Sequence, residues 1–194
     1  MATSSLYLFF DTETTGIPRN FKAPASDVNN WPRLVQLSWI LMDEEGNRLH
    51  VGDYIIRPQS YTIPSAVSKI HGITTERALA EGHDIVEVLD LFSADLKQAQ
   101  FVVGHNVQFD QNIVGAELIR LNRPNALARK KRLCTMLASV DLCAIPGRFG
   151  YKYPKLQELH QTLFGHGFED AHNAHSDIEA TQKCFWELRR RGEI

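Results

Sequence analysis

The sequence predicts an α/β protein built on a mixed sheet, and three observations predict it. Two apolar runs, residues 34–42 and 48–57, flank the turn Asp43-Glu44-Glu45-Gly46-Asn47, which makes them an antiparallel hairpin. After the hairpin, strand-like and helix-like segments alternate, the pattern of a sheet flanked by helices. The 194 residues contain no repeat, low-complexity tract or linker, so residues 1–194 form one domain with a single core.

The elements follow in order. Residues 6–13, LYLFFDTE, are dense in aromatic and branched side chains and predict the first strand, ended by Gly16-Ile17-Pro18. Residues 19–32 are polar and predict a long loop. Pro58 and Pro64 bracket a segment expected to be irregular, which leads to SKIHGIT at residues 68–74. Val86, Leu89, Phe92 and Leu96 recur at helical spacing and place a helix within residues 85–98. A short strand over residues 101–106 runs into a turn, and a helix over 110–121 closes at Asn122-Arg123-Pro124-Asn125. Residues 132–145 predict a short strand and then a helix. Two helices end the chain, at 156–164 and 173–191.

Composition narrows the function. No apolar run approaches the roughly 18 residues a membrane span requires, and the opening MATSS is no secretory signal. Cys134, Cys143 and Cys184 fit no disulfide framework, so the expectation is a cytoplasmic protein with reduced thiols. A net charge of −2 does not suggest the usual basic nucleic-acid binder. That balance changes sign if four carboxylates are set aside to hold cations.

Four carboxylates stand out. Asp11 and Glu13 lie one residue apart in a strand and so point to one face, their Cα atoms about 6.5–7 Å apart. An isolated D-x-E at a strand end is ordinarily just solvated, but here the run before it is too apolar for a surface strand. Asp110 precedes Ile113 and Val114 by three and four residues, which puts it on their inward face. The helix dipole favours an aspartate in a first turn but does not explain one that faces inward. Asp177 falls near the middle of the apolar arc formed by Ile178, Thr181, Cys184, Phe185 and Leu188. Hard oxygen donors without a cysteine–histidine cluster favour Mg²⁺ or Mn²⁺ over zinc. Four of them suit two ions about 3.5–4 Å apart, the arrangement of phosphoryl-transfer sites. His172, five residues before Asp177 and expected in the loop ahead of the helix, is the candidate base. His175 falls on another side of the helix and is expected to be solvated.

FDTETTG, GHNVQFD and HNAHSD resemble the three exonuclease motifs of the DEDDh family of 3′–5′ exonucleases, to which the proofreading epsilon subunit of bacterial DNA polymerase III belongs. The resemblance covers residues 6–190. It implies a ribonuclease H-like fold, a mixed five-stranded sheet flanked by helices. It implies Asp11, Glu13, Asp110 and Asp177 as ligands of two divalent cations, with Asp11 as the bridge, Asp110 open to acting through water, and His172 as general base. It also implies substrate contacts from Thr12, Thr14, His71, His105 and Phe109.

The reading is a metal-dependent exonuclease that removes nucleoside monophosphates from single-stranded 3′ ends, with DNA favoured. Trimming of short RNA and a non-catalytic, polymerase-associated binding module are the rival readings. With all four acids and His172 present, a dead site is disfavoured. The short tail after the last helix predicts a stand-alone enzyme, while association with a replicative polymerase stays open. The basic runs 129–132 and 189–191 are read as solvated faces, and Trp186 as a polar-side residue marking a contact surface.

Overall fold

Tyr7–Thr14 (β1) is apolar on both faces and therefore runs through the middle of the molecule: Tyr7, Leu8, Phe9 and Phe10 are at most 2% exposed. The computed structural model describes residues 5–169 and 173–194. β1 pairs antiparallel with Leu34–Met42 (β2), which pairs antiparallel with Arg48–Ile55 (β3). On its other side β1 pairs in parallel with Phe101–Gly104 (β4), and β4 with Lys131–Cys134 (β5). The sheet order is β3-β2-β1-β4-β5, the mixed sheet expected from the sequence pattern with the five strands that the family resemblance implies.

Alternation along β1 divides the core. Tyr7 and Phe9 pack with Ile40, Met42 and Val103 beneath Ile178 and Phe185 of Ala174–Arg191 (α8). Leu8 and Phe10 face the other way, toward Phe92 of Ile85–Gln98 (α3) and Ile113 of Val107–Arg120 (α4). The sheet is thus covered by α8 on one face and by α3 and α4 on the other. Trp39 fills the α3 side and donates from Nε1 to buried Asp95 at 2.8 Å. Its ring lies so close to Gly52 that an added Cβ would meet it at 2.3 Å, so β3 requires glycine at that position.

Several expectations change. The segment beyond Pro58 contains two helices, Ser65–His71 (α1) and Thr75–Glu81 (α2). Each has only seven residues, too few to display a hydrophobic period. α4 begins at Val107 rather than at residue 110, because Asn106 turns the chain in the left-handed region, with φ at 69°. Residues 135–145 hold two single-turn helices, Thr135–Ala138 (α5) and Val140–Cys143 (α6). A small hairpin, Pro146–Gly147 (β6) with Gly150–Tyr151 (β7), precedes Leu156–Phe164 (α7). Trp186 does not mark an exposed surface: its ring meets Tyr7 edge-on at 5.5 Å and lies near Gly46. No helix of the described residues is long and apolar enough to cross a membrane.

Candidate active site

The carboxyl end of β1 places Asp11 and Glu13 on the α8 face, continuing the line of Tyr7 and Phe9. In register beside them on β2 are Ser38 and Gln36. α8 starts at an Asn173 cap, whose Oδ1 accepts the backbone N–H of His175 at 3.0 Å and of Ser176 at 3.4 Å. That cap fixes the first helical turn, which delivers Asp177 to the same place. Ligand oxygens of Asp11, Glu13 and Asp177 all lie within 4.8 Å of one another, and all three side chains remain partly open to solvent.

Asp110 arrives from the opposite face. It is 3% exposed, in the first turn of α4. Its Oδ1 accepts both the backbone N–H of Thr12 at 3.0 Å and the Thr12 hydroxyl at 2.7 Å. Asp11, Glu13 and Asp177 thus form one group, and Asp110 reaches it from α4, near enough for its charge to act on Asp11 and Glu13.

Asp11, Glu13 and Asp110 have the electrostatics of crowded, buried carboxylates. Burial pushes Asp11 well above the ordinary carboxylate range, and the charges of Asp110, Asp177 and Glu13 push it further. Glu13 is raised to about 8, by burial first and then by Asp177 and Asp110. Burial lifts Asp110 to about 7 despite the hydrogen bonds from Thr12 that favour its charged form. Asp11, Glu13 and Asp110 resist ionising together at neutral pH unless a cation offsets their charge. An all-oxygen donor set of this kind fits a hard divalent ion.

The remaining sequence candidates divide between the site and its frame. His172 lies outside the described residues. His175 is half-exposed on α8, with Nε2 3.9 Å from Glu179. Thr14 is buried, and its hydroxyl donates to the Gly16 carbonyl at 2.6 Å. The Thr12 amide points at Asp110 rather than into open space. His71 closes α1 and is 7% exposed; its Nδ1 accepts the Ile73 N–H at 3.1 Å. Burial holds His71 below its ordinary range, a contact with the Thr14 backbone opposing this, which sets the ring beside the end of β1. Phe109 packs against Phe21 and Trp31, with ring centroids 6.5 and 6.2 Å away. His105 is engaged at both ring nitrogens, Nδ1 with the Thr135 hydroxyl at 3.0 Å and Nε2 with the Pro154 carbonyl at 2.9 Å.

One polar group beside the acids went unnoticed in the sequence. Asp53 of β3 accepts hydrogen bonds from Gln36 Nε2, at 2.7 Å, and from the Ser38 hydroxyl. The signal was available: Gln36 and Ser38 are the only polar residues of β2 and occupy alternate positions, hence one face.

A model of the RNase T exonuclease family matches residues 8–185. No curated protein sequence matches the chain. Among solved structures, E. coli exonuclease I in complex with a dT13 oligonucleotide is 21% identical with a TM-score of 0.75, over 96% of this chain and 41% of that one. The complex of the same enzyme with a dA16 oligonucleotide is 22% identical with a TM-score of 0.72, over the same shares. A product-bound exonuclease I structure is 19% identical with a TM-score of 0.74, over 97% of this chain and 44% of that one. The likeness is one of fold, and the chain spans about two-fifths of the length of those proteins.

Proposed function

The chain belongs to the RNase T exonuclease family, and from that premise we propose that it is a divalent-metal-dependent 3′–5′ exonuclease acting on single-stranded ends, DNA in preference to RNA. The observation that carries the reading is the convergence of Asp11, Glu13 and Asp177, from a strand and a distant helix, on one point. Asp110, held behind them by Thr12, completes the acidic set. The preference for DNA is supported by E. coli exonuclease I, which shares the fold and is seen in complex with dT13 and dA16 oligonucleotides.

In this reading Asp11, Glu13 and Asp177 would hold two divalent ions, Mg²⁺ or Mn²⁺, with Asp110 as the fourth acid of the set. Bound there, such ions supply an activated water and offset the charge of the reacting phosphate. The chain itself supplies rigidity: β1, buried on both faces, fixes Asp11 and Glu13, and the Asn173 cap fixes Asp177. His172, five residues before Asp177, takes the proton of the attacking water. The water oxygen bonds to phosphorus as the bond to the 3′ oxygen of the preceding nucleotide breaks. The terminal nucleoside 5′-monophosphate leaves, and a new 3′-hydroxyl remains.

The test is digestion of DNA and RNA oligonucleotides labelled at one end, with Mg²⁺, Mn²⁺ or EDTA. Stepwise shortening from the 3′ end, faster on DNA and abolished by EDTA, is the expected result. Shortening from the 5′ end, or cleavage that survives EDTA, overturns the proposal; faster RNA cleavage moves the substrate to RNA.

A further inference from the structure

The hairpin of β6 and β7 is built unlike the rest of the molecule. Gly147 pairs with Gly150, so Arg148 and Phe149 form a two-residue tip. The turn depends on its glycines: Gly150 has φ at 111°, and a Cβ on Gly147 would lie 2.9 Å from the Gly150 carbonyl oxygen. The Lys152 N–H donates to the Ile145 carbonyl at 3.0 Å and extends the pairing. Around this frame the aromatic rings face outward. Phe149 is 91% exposed, Tyr151 56% and Tyr153 63%. Three exposed rings within five residues stabilise no core, and the Arg148 guanidinium lies over the Phe149 ring at 5.0 Å.

The hairpin is fixed relative to the acids. Pro154, next to Tyr153, is buried, and its carbonyl bonds to His105 in the turn between β4 and α4. Asp110 is the fourth residue of α4, the helix that this turn begins. β1, β4 and β5 are parallel, so their carboxyl ends share the sheet edge where open α/β sheets bind ligands. A cleft of about 700 Å³ lies there, lined by Asn106, Gln108, Met136, Leu137 and Tyr153, with Arg132 beside it. Asn106 and Gln108 also border a second cleft of about 240 Å³ that includes Phe109, the neighbour of Asp110, and exposed Phe21. Tyr153 in the larger cleft and Phe109 and Phe21 in the smaller one thus flank Asn106 and Gln108, which both clefts share at the start of α4. Arg132, Arg148 and Lys155 are exposed along this side.

We infer that the hairpin is a stacking platform for single-stranded nucleic acid, holding bases upstream of the 3′ end bound at the acids. Flat rings interleaved with cations match alternating bases and phosphates, and stacking on aromatic rings accepts any base. The charge selects this occupant: a protein partner covering an apolar patch has no need of Arg148 at its tip or of Arg132 and Lys155 around it. The inference rests on the proposed exonuclease reading, because that reading brings a strand to this edge of the sheet.

The experiment compares two substrates on the Phe149→Ala/Tyr151→Ala/Tyr153→Ala variant, a 15-nucleotide oligothymidylate and the p-nitrophenyl ester of thymidine 5′-monophosphate. The ester occupies only the acidic site. For the oligonucleotide, KM is expected to rise at least about 5-fold, the lower end of the effect of losing one stacked ring. Hydrolysis of the ester is expected to stay at the wild-type rate, and Arg148→Ala is expected to weaken the salt dependence of oligonucleotide KM. Unchanged oligonucleotide KM in the triple variant overturns the platform. So does a loss of self-association, measured by sedimentation, with oligonucleotide KM intact, since the patch then covers a second copy of the chain. A wild-type protein inactive on both substrates instead overturns the exonuclease reading, and oligonucleotide binding by anisotropy in Ca²⁺ then decides the platform alone.

Discussion

The amide and the hydroxyl of Thr12 both donate to one oxygen of Asp110, at 3.0 and 2.7 Å. This pair joins the two faces of the sheet at the point where they meet the candidate site. Thr12 stands between Asp11 and Glu13 in β1, so its side chain points away from theirs and toward α4. One residue thereby sets the position of a helix-borne acid relative to two strand-borne ones. It also lowers the cost of charge at a carboxylate that is 3% exposed.

Replacing Thr12 with Val keeps the shape of the side chain and removes the hydroxyl. A hydrogen bond to a charged group contributes about 1.5–3 kcal/mol, and a loss of that order is expected in urea unfolding at pH 8 in the presence of Mg²⁺. The Thr12 bonds lower the Asp110 pKa against burial, so Thr12→Val raises it and protons compete better with metal. The Mg²⁺ concentration for half-maximal activity is then expected to rise at pH 7, with recovery at higher pH. Thr12→Ser should behave nearly as wild type. A variant with unchanged stability and Mg²⁺ dependence would show that the bond has no part in holding Asp110.

Metal-free protein is expected to lose stability as pH rises, the reverse of the usual carboxylate case. Glu13 at about 8 and Asp110 at about 7 hold protons in the folded state that the unfolded chain has already released. Where the native state binds more protons, stability falls with increasing pH. In EDTA the melting temperature should therefore decline from about pH 5 to pH 8, the window between ordinary and shifted carboxylate values. Mg²⁺ should reverse that slope, adding about 2.7 kcal/mol at a hundredfold excess over its Kd. Parallel EDTA and Mg²⁺ melting profiles across this range would remove the basis for a cation at these acids.

Sequence logic captured relations within an element better than relations between elements. Asp11 with Glu13 follows from the two-residue period of a strand, and Asp177 from the helical arc around Ile178 and Phe185, since each periodicity is local. Both inward directions match the structure, where the three acids meet. The hold of Thr12 on Asp110 was not legible. An inward-facing residue on α4 says nothing of which face of the sheet α4 covers, and that depends on the route of the chain from β1 to β4. The short helices α1 and α2 were missed for lack of a full period, although Gly72, with φ at 74°, and the Thr74 cap mark their boundaries. The outward rings of the hairpin were missed because aromatic residues ordinarily signal a core.

His172 and His175 can be told apart by substitution. The base proposed for the reaction is His172, whereas His175 sits on α8 beside Glu179, itself held by both terminal nitrogens of Arg48. His172→Ala is expected to lower kcat by about 10²–10⁴-fold, the range of general acid–base catalysis, with Mg²⁺ dependence unchanged. His175→Ala should lower it only slightly. The kcat–pH profile at saturating Mg²⁺ adds a second readout, since the limb governed by the base should vanish in His172→Ala alone. The opposite ranking would move the base to His175.

His105 makes an acid-side prediction through the frame of the site. Burial depresses its pKa from 6.5 to about 4, and a hydrogen bond with the Pro154 carbonyl only partly opposes this. The neutral ring satisfies both neighbours, Nε2–H donating to Pro154 and Nδ1 accepting from the Thr135 hydroxyl. Below about pH 6.5 the unfolded chain takes up a proton at this histidine that the native state refuses, so stability falls as pH drops toward 4. A shift of this size corresponds to about 3 kcal/mol. His105→Gln keeps one donor and one acceptor but cannot titrate. It is expected to be less stable than wild type at pH 7, and its stability relative to wild type is expected to improve as pH drops from 6.5 to 4.5, on top of the gain that protonated Glu13 and Asp110 give both proteins in EDTA, measured by urea unfolding. Because the same bond anchors the hairpin, the variant should also bind oligothymidylate more weakly at neutral pH. A stability difference between variant and wild type that stays constant from pH 6.5 to 4.5 would show that His105 contributes no pH dependence.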